Sequence, residues 1–461
     1  MRSLLQLIPA SVLGAIICEI ALIASAYAAA AYLHSNIDAT VWLLYDDGLL
    51  RIGLMVLGIL LGLYLQDLYD QLRVTNKVVL LQQICLVFGF AFLLQAVLSY
   101  VKPELVLPRW MMVTGSVILL VVLPLWRIAL SDAIMGNLAG ERVLFLGASP
   151  VSLQIAEQIR SRPELGMTFS GVLDDDPVEG ENGSGGWLGP ICDLRKVVEE
   201  HRINRVVVGL RERRQKMPVY ELLDLGFAGV QIEEASTTFE QVFQRVCTEQ
   251  IRPSQLIFTS KLGPGPLMVR VQSMYSWVIA LTGLILVAPI MVLAAVLVKL
   301  TSPGPALYKQ QRVGLNGKVF TIYKFRSMRA DAEAKTGAVW AQRNDPRITP
   351  LGRFLRKSRI DELPQLFNVL RSEMSVVGPR PERPEFVATL SEQIPFYRQR
   401  HVVRSGITGW AQINHKYGDT IEDTVKKLEY DLYYIKSLSP ALDFLVMFHT
   451  AKVMLLSRGA Q

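Results

Sequence analysis

"SWVIALTGLILVAPIMVLAAVLV", residues Ser276–Val298, runs for 23 residues without a charge and contains a single proline, Pro289. About 20 apolar residues are enough to cross the hydrocarbon core of a bilayer, so length alone makes this stretch a transmembrane helix. Its flanks argue otherwise. Lys261 and Arg270 precede it, and Lys299, Lys309 and Arg312 follow. Lys and Arg in short flanking segments mark the cytoplasmic side, and here both ends carry them. Pro289 lacks an N–H and its ring clashes with the preceding turn, which bends a helix. A helix that enters the bilayer near residue 272, kinks at Pro289 and returns by about 299 accommodates the length, the flanks and the proline. A tilted helix packed within a protein core is the alternative reading.

Four further apolar runs precede it, at Ala10–Leu33, Leu50–Leu65, Val78–Val101 and Met111–Leu130. They fit a four-helix transmembrane unit over residues 1–135. The first run is too long for a cleaved signal peptide, and three similar runs follow it. The segment "HSNIDATVWLLYDDG" carries no Lys or Arg and reads as an outer loop. Arg73, Lys77, Arg127 and Arg142 mark the cytoplasmic side, against an opposing pull from Lys102 and Arg109. Both ends of the unit are therefore expected in the cytoplasm. Four spans keep the chain inside before the Pro289 stretch, so a fifth full crossing would carry everything after it outside. Glu19, within the first run, reads either as a functional intramembrane acid or as a snorkelling or helix-paired one.

The composition agrees with a membrane protein. Of 461 residues, 51% are apolar and 19% charged, and the mean hydropathy is +0.30, greasier than a soluble domain. The net charge of +7 is unevenly spread: Lys299–Glu362 holds 14 Lys or Arg against 5 Asp or Glu. Such a block suits anionic headgroups or a phosphorylated substrate. Cys18, Cys85, Cys192 and Cys247 are scattered, with no CxxC and no histidine at ligand spacing, which excludes a disulfide framework and a zinc site.

Between the two apolar regions, "ERVLFLGASPVSLQIAEQI" reads as a buried strand (Val143–Leu146), a Gly-Ala-Ser turn and an amphipathic helix. "FSGVLDDDP" and "INRVVVGL" read as further strands, and "PVYELLDLGFAGVQI" as helix then strand. This is a Rossmann-like α/β domain over residues 141–250. Its turn, Gly147–Ser152, lacks the second and third glycines of GxGxxG, so a scaffold role stands beside nucleotide binding. "EGENGSGGWLG" reads as a flexible loop and "SKLGPGP" as a linker.

The last unit, residues 255–461, is expected to hold an α/β catalytic domain. In "FTIYKFRSM", Lys324 and Arg326 fall on one strand face. In "RKSRIDELPQLFNVL", from Arg356, a helix starting near Asp361 places Pro364 in its first turn, where a missing N–H is harmless. Asp361 and Glu362 then lie at the positive end of the helix dipole and point in different directions. Arg356 lies close enough upstream to reach the same anion. In "SEMSVVGPRPERPEF", Pro379 and Pro381 fix the backbone around Arg380. An isolated acidic pair is usually a solvated helix end; one set among so many fixed cations is not.

These runs, together with "SPGPALYKQQRVGLNGKVFTIYKFRSM", "SGITGWAQIN" and "YDLYYIKSLSPALDF", resemble the bacterial sugar transferase family over roughly Arg270–Leu456. Its members are the polyprenyl-phosphate hexose-1-phosphate transferases, or monotopic phosphoglycosyl transferases. Four spans plus a Rossmann-like domain look like the long form of that family, which starts exopolysaccharide or O-antigen repeat units. The resemblance implies transfer of a hexose-1-phosphate from a UDP-sugar, glucose or galactose first, to undecaprenyl phosphate with release of UMP. It implies Asp361 as a nucleophile forming a phosphosugar-aspartate intermediate, Glu362 as its partner, and Mg²⁺ held at Asp361 and Glu362. Lys324, Arg326, Arg356 and Arg380, with Pro379 and Pro381, would serve the phosphates or nucleotide. Trp410 and Gln412 would line the site, though Trp410 reads equally well as a packing residue. The re-entrant hairpin is a family feature too, and implies a multi-pass protein of the bacterial inner membrane with its site on the cytoplasmic face, among membrane lipids. No nucleic-acid partner is expected, and a homodimer is compatible with the reading.

Two departures from the family pattern stand out. Ala288-Pro289 replaces the usual Ser-Pro at the kink, and Arg404-Ser405-Gly406 replaces Arg-Pro-Gly before "ITGW". "ALDFLVMFHTAKVMLL" near the end reads as a helix lying in the membrane interface or packed on the catalytic core. A glycosyltransferase releasing UDP and a membrane-bound nucleotide-sensing regulator are the competing functions; the intact "DELPQ" and "GPRP" argue against the second.

Overall fold

The computed structural model describes residues 10–33, 38–66, 68–69, 72, 74, 77–136, 141–162, 165–176, 186–210, 217–248, 263–329, 347–415 and 420–455. They divide into two compact units that meet in sequence between Thr238 and Phe239.

In the first unit, four long apolar helices cover Ala10–Leu33, Gly48–Leu65, Lys77–Val101 and Arg109–Gly136. Each is long and apolar enough to cross a membrane. Tyr27, Ile59, Leu63, Ile84, Val87 and Leu119 share one buried cluster, while Leu57, Leu86, Leu93, Val97, Val117 and Val121 are exposed. So large an apolar exterior would aggregate in water and is the ordinary outer face in lipid. Gly115 lets the Tyr27 ring lie where a Cβ would sit, and the Tyr27 hydroxyl pairs with Ser116 at 2.8 Å. A short helix, Ala39–Tyr45, falls in the stretch read as a loop; Asp38 caps it by accepting from Thr40 N at 3.0 Å. Glu19 turns out to be helix-paired. It is fully buried, with Arg127 Nε 2.7 Å from Oε1 and the Tyr69 hydroxyl donating to Oε2 at 2.5 Å.

The same unit carries a five-stranded, wholly parallel sheet. Its strands are β1 (Glu141–Leu146), β2 (Met167–Leu173), β3 (Trp187–Gly189), β4 (Arg205–Val208) and β5 (Gln231–Glu234), in the order β3-β2-β1-β4-β5. Val143–Leu146 are fully buried, as a central strand covered on both faces must be. Ser149 caps the following helix, Pro150–Ser161, accepting from Ser152 N at 3.2 Å. Strand β3 was not legible: Trp187–Gly189 end the stretch read as a flexible loop, whose residues 179–185 lie outside the described residues.

The expected boundary near 250–255 also lies outside the described residues. The second unit contains one continuous long helix, Pro266–Thr301, with Pro289 inside it. Gln272, Ser276 and Ala280 are buried toward one end and Ala294 and Val298 toward the other, while Ile285 and Leu286 between them are exposed. Ala280 packs with Ile322, Val369 and Met374; Ala294 and Val298 pack with Phe325 and Leu355. Ile322 and Phe325 belong to one strand, β7 (Val319–Phe325), the antiparallel partner of β6 (Leu307–Val313). Both arms of the helix therefore rest on the same hairpin. A short parallel pair, β8 (Ser375–Val377) and β9 (Gly406–Thr408), follows. The final helix, Pro440–Leu455, buries Leu442 and Val446 and exposes Phe444 and Phe448.

Candidate active site

Lys324, near the end of β7, is paired with Tyr308 of β6 by strand register. Its ammonium lies 3.1 Å from Glu362 Oε1. Arg380, two residues beyond Gly378 at the end of β8, reaches the same oxygen with Nη2 at 2.8 Å. Arg359 Nη1 approaches Oε2 at 3.7 Å. Glu362 thus has cations on both oxygens.

The acidic pair sits in the first turn of Ile360–Gln365, a 3₁₀ segment running on into the helix Leu366–Leu370. The expected helix start near Asp361 is there, but its first turn is tighter than α. Pro364 has no N–H to give the carbonyl four residues back, whereas three-residue bonds such as Glu362 N to Arg359 O, 3.2 Å, remain open. Arg359 enters this turn in a left-handed conformation, φ 58°. A non-glycine residue there is strained.

Burial, followed by the charge of Glu362, pushes the Asp361 carboxyl up to about 6, against the pull of Lys324, Arg356 and Arg359. Burial would raise Glu362 as well. There Arg380, Lys324 and Arg359 outweigh it and hold that carboxyl well below the usual range. Burial lowers the Lys324 ammonium, opposed by Glu362. Two adjacent carboxyls are thereby driven apart in acidity. Glu362 is a fixed counter-ion, while Asp361 has its Oδ1 buried and without a hydrogen-bond partner.

Arg356 is aimed by its helix, Pro350–Lys357, which Thr349 caps through Gly352 N at 3.0 Å. Gly352 lies against Ser327: a Cβ there would be 1.9 Å from the Ser327 carbonyl. Arg356 Nε donates to Ser327 Oγ at 2.8 Å. Around Arg380, three successive carbonyls are held from different directions. Gly406 N donates to Pro379 O at 3.0 Å, Arg400 to Arg380 O at 3.0 Å, and Arg312 to Pro381 O at 3.0 Å. Arg400 is itself paired with buried Asp431 at 2.8 Å.

Lys324, Arg356, Asp361, Glu362 and Arg380 are brought together, with Pro379 and Pro381 as the rigid flanks of the last. Arg326 is engaged elsewhere. It follows the end of β7, and its guanidinium donates to Ser302 O at 2.7 Å and Pro303 O at 2.8 Å, closing the C-terminus of the long helix. Trp410 is buried, stacks on Tyr433 and donates to Gln244 O at 2.9 Å, a packing position. Gln412 reaches Ile407 O at 3.5 Å, with its Oε1 buried and unbonded. Arg312, Arg400 and Asp431 were missed. Their one signal in sequence is an acid, Asp431, within the otherwise apolar and aromatic run "YDLYYI".

No group of three or more His, Cys, Asp or Glu suited to a metal ion occurs among the described residues. Of the expected pair, Asp361 alone offers an open ligand for Mg²⁺, which keeps several waters and is commonly held by one or two carboxylates plus substrate phosphates; Glu362 already has cations on both oxygens. The orphaned Asp361 Oδ1 is the open donor.

Residues 268–457 match the family described as bacterial sugar transferase. An exopolysaccharide production protein PSS of Rhizobium leguminosarum bv. phaseoli is 43% identical over 185 residues, covering 39% of this chain and 92% of that protein. The chain belongs to the bacterial sugar transferase family. Among other members, a UDP-glucose:undecaprenyl-phosphate glucose-1-phosphate transferase of Klebsiella pneumoniae is 36% identical over 67% of this chain and 66% of its own length. A UDP-N-acetylgalactosamine-undecaprenyl-phosphate N-acetylgalactosaminephosphotransferase of Aeromonas hydrophila is 44% identical over 48% of this chain and 52% of its own. The chain thus spans between half and two thirds of these two sugar transferases.

Residues 64–219 match a second family, described as a CoA-binding domain. The described residues of the β1 turn do not fit the pyrophosphate of such a cofactor. The Ala148 amide, placed to receive a phosphate, already donates to Asp174 Oδ2 at 2.7 Å. Asp174 and its neighbours Asp175 and Asp176 would repel an anion there. At Gly209, the Ser152 hydroxyl would lie 1.9 Å from a Cβ.

Proposed function

We propose that the chain transfers a hexose-1-phosphate from a UDP-hexose, glucose or galactose first, to undecaprenyl phosphate, releasing UMP and starting exopolysaccharide or O-antigen repeat units. The observation that carries this reading is the division of labour in the acidic pair. Asp361 presents an unpartnered buried oxygen, while Glu362 is clamped by Lys324 and Arg380. The names of the Klebsiella and Aeromonas relatives support the reaction class.

Asp361 attacks the phosphorus bearing the sugar. An O–P bond forms to its carboxylate, and the bond from that phosphorus to the bridging oxygen breaks, leaving with UMP. An oxygen of undecaprenyl phosphate then attacks the same phosphorus, the aspartyl bond breaks, and the lipid diphosphate sugar departs. An anion attacking a diphosphate meets repulsion, which Lys324, Arg356 and Arg380 offset in a water-poor site. Held at Asp361, Mg²⁺ would neutralise phosphoryl charge. Two steps suit substrates from two phases, because the soluble donor leaves before the lipid arrives.

The four N-terminal helices form the transmembrane bundle of this reading, and Pro266–Thr301 is a re-entrant hairpin, with the site on the cytoplasmic face of the inner membrane. The packing of both helix arms on β7, with Ile285 and Leu286 exposed between them, supports that topology.

The test is purified protein with Mg²⁺, undecaprenyl phosphate and a panel of UDP-sugars, with Asp361→Asn beside it. UMP release that depends on Asp361, and a sugar-phosphate mass added to the protein when the lipid is withheld, are expected. Release of UDP would replace this reading with simple glycosyl transfer.

A further inference from the structure

Four side chains from three helices converge on the end of β8, outside the Lys324–Glu362–Arg380 cluster. Gln272 and Tyr275 come from Pro266–Thr301, Tyr434 from Ile421–Ser437, and Asp443 from Pro440–Leu455. Asp443 is fully buried. It accepts from Gln272 Nε2 at 2.8 Å, from the Tyr434 hydroxyl at 2.7 Å and from the Tyr275 hydroxyl. The Tyr434 hydroxyl and Gln272 Nε2 also lie 3.2 and 3.4 Å from the Val377 carbonyl.

A buried carboxylate with three donors is a poor way to add stability, since well-packed apolar groups do as well. Its distinctive property is directional. A fully satisfied buried network admits one arrangement of the elements it joins. Here those elements are the base of the long helix, the last two helices and Val377. Three residues after Val377, the Arg380 guanidinium meets Glu362. The chain between them is short and stiff: Gly378 N donates to Thr408 O at 2.9 Å, and Pro379 follows. A displacement of Val377 has few places to go except into Arg380.

We propose that Asp443 and Tyr434 are positioning residues for the transfer reaction, fixing Arg380 through Val377 and tying its place to the base of the membrane helix. The inference rests on the active-site reading above.

The experiment is a double-mutant cycle on the full-length protein in detergent, with UDP-hexose and undecaprenyl phosphate as substrates. Tyr434→Phe removes one hydroxyl from the network and is expected to lower kcat roughly ten-fold, as small misplacements of reacting groups do. In an Arg380→Ala background the same substitution is expected to change kcat by less than about two-fold, because residues acting through one group do not add. Asp443→Asn, which turns an amide toward one of the three donors, should follow Tyr434→Phe. Ser276→Ala removes a buried 2.8 Å bond from the same helix to Ser375 and serves as the folding control, with a lowered melting temperature and near-normal kcat. Losses that multiply in the double variant, with Arg380→Ala itself impaired, would overturn the inference alone. An equal fall in kcat for Ser276→Ala would do so too, by reducing the network to general stability. A fully active Arg380→Ala would overturn the active-site reading and this inference with it.

Discussion

Arg380 Nη2 and Lys324 Nζ meet on a single oxygen of Glu362, at 2.8 and 3.1 Å. One cation comes from β7 and the other from the loop after β8, so the carboxylate between them joins the β6–β7 hairpin to that loop. Arg380→Lys keeps the charge but loses the fork that spans this distance. Turnover is expected to fall about 30-fold or more, in keeping with the roughly 2 kcal/mol of a charge-assisted bond. Initial rates of nucleotide release decide it, and near-normal turnover would make Arg380 a bystander.

The pH dependence follows from Asp361, pushed up to about 6 by burial and the charge of Glu362. In the proposed mechanism only the ionised carboxylate attacks phosphorus, so formation of the enzyme-bound sugar phosphate should rise between about pH 5 and 7 and level off above. Lys324→Met removes a charge that favours the ionised form and should shift the rise to higher pH. Single-turnover rates without lipid give the profile. A flat profile across that range would exclude Asp361 as the titrating nucleophile.

The same shift bears on stability. A carboxyl whose acidity is weakened on folding binds its proton more tightly in the native state, so stability is lost as pH rises from about 4 through about 6. Above that window the ionised Asp361 costs roughly 1–3 kcal/mol. Asp361→Asn should therefore melt higher than the parent protein at pH 7.5 and no higher near pH 4. Melting curves in detergent at the two pH values provide the comparison.

In the first unit, Glu19 and Arg127 form a buried pair 2.7 Å apart. Removing one partner strands a charge, at about 3–5 kcal/mol, whereas removing both can be close to neutral. Glu19→Gln and Arg127→Met should each lower the melting temperature, and the double variant should recover most of the loss. Additive losses would mean that the two residues act separately.

For the long helix, single cysteines at Leu267 and Thr301 in a cysteine-free background should both react with a membrane-impermeant maleimide from the cytoplasmic side. Labelling from opposite sides would make Pro266–Thr301 a full crossing.

Much of this was legible in the chain. The apolar runs, the β1 turn and the "DELPQ" and "GPRP" segments combine local signals with local consequences. What escaped depends on partners distant in sequence. Arg326 reads as a companion of Lys324 by strand alternation, yet β7 ends at Phe325 and the guanidinium turns to cap a helix ending 25 residues earlier. Trp410 leaves two readings open until its indole N–H finds Gln244 O. Strand β3 is only three residues long and hides in a glycine-rich stretch. Asp443 looks like an ordinary acid in the first turn of a helix, and only the fold brings Gln272 and Tyr434 to it.

The strand bearing Lys324 is held by both arms of the long helix, through Ile322 on one and Phe325 on the other. In the topology proposed above that helix is seated in lipid, so the reacting groups would keep a fixed depth and would not lift into the cytosol to collect an acceptor. The proposed acceptor, undecaprenyl phosphate, would then reach them by sideways diffusion within the leaflet. Velocity should then follow the mole fraction of acceptor among the surrounding lipids or detergent rather than its bulk concentration, and extra micelles added at constant total acceptor should slow the enzyme.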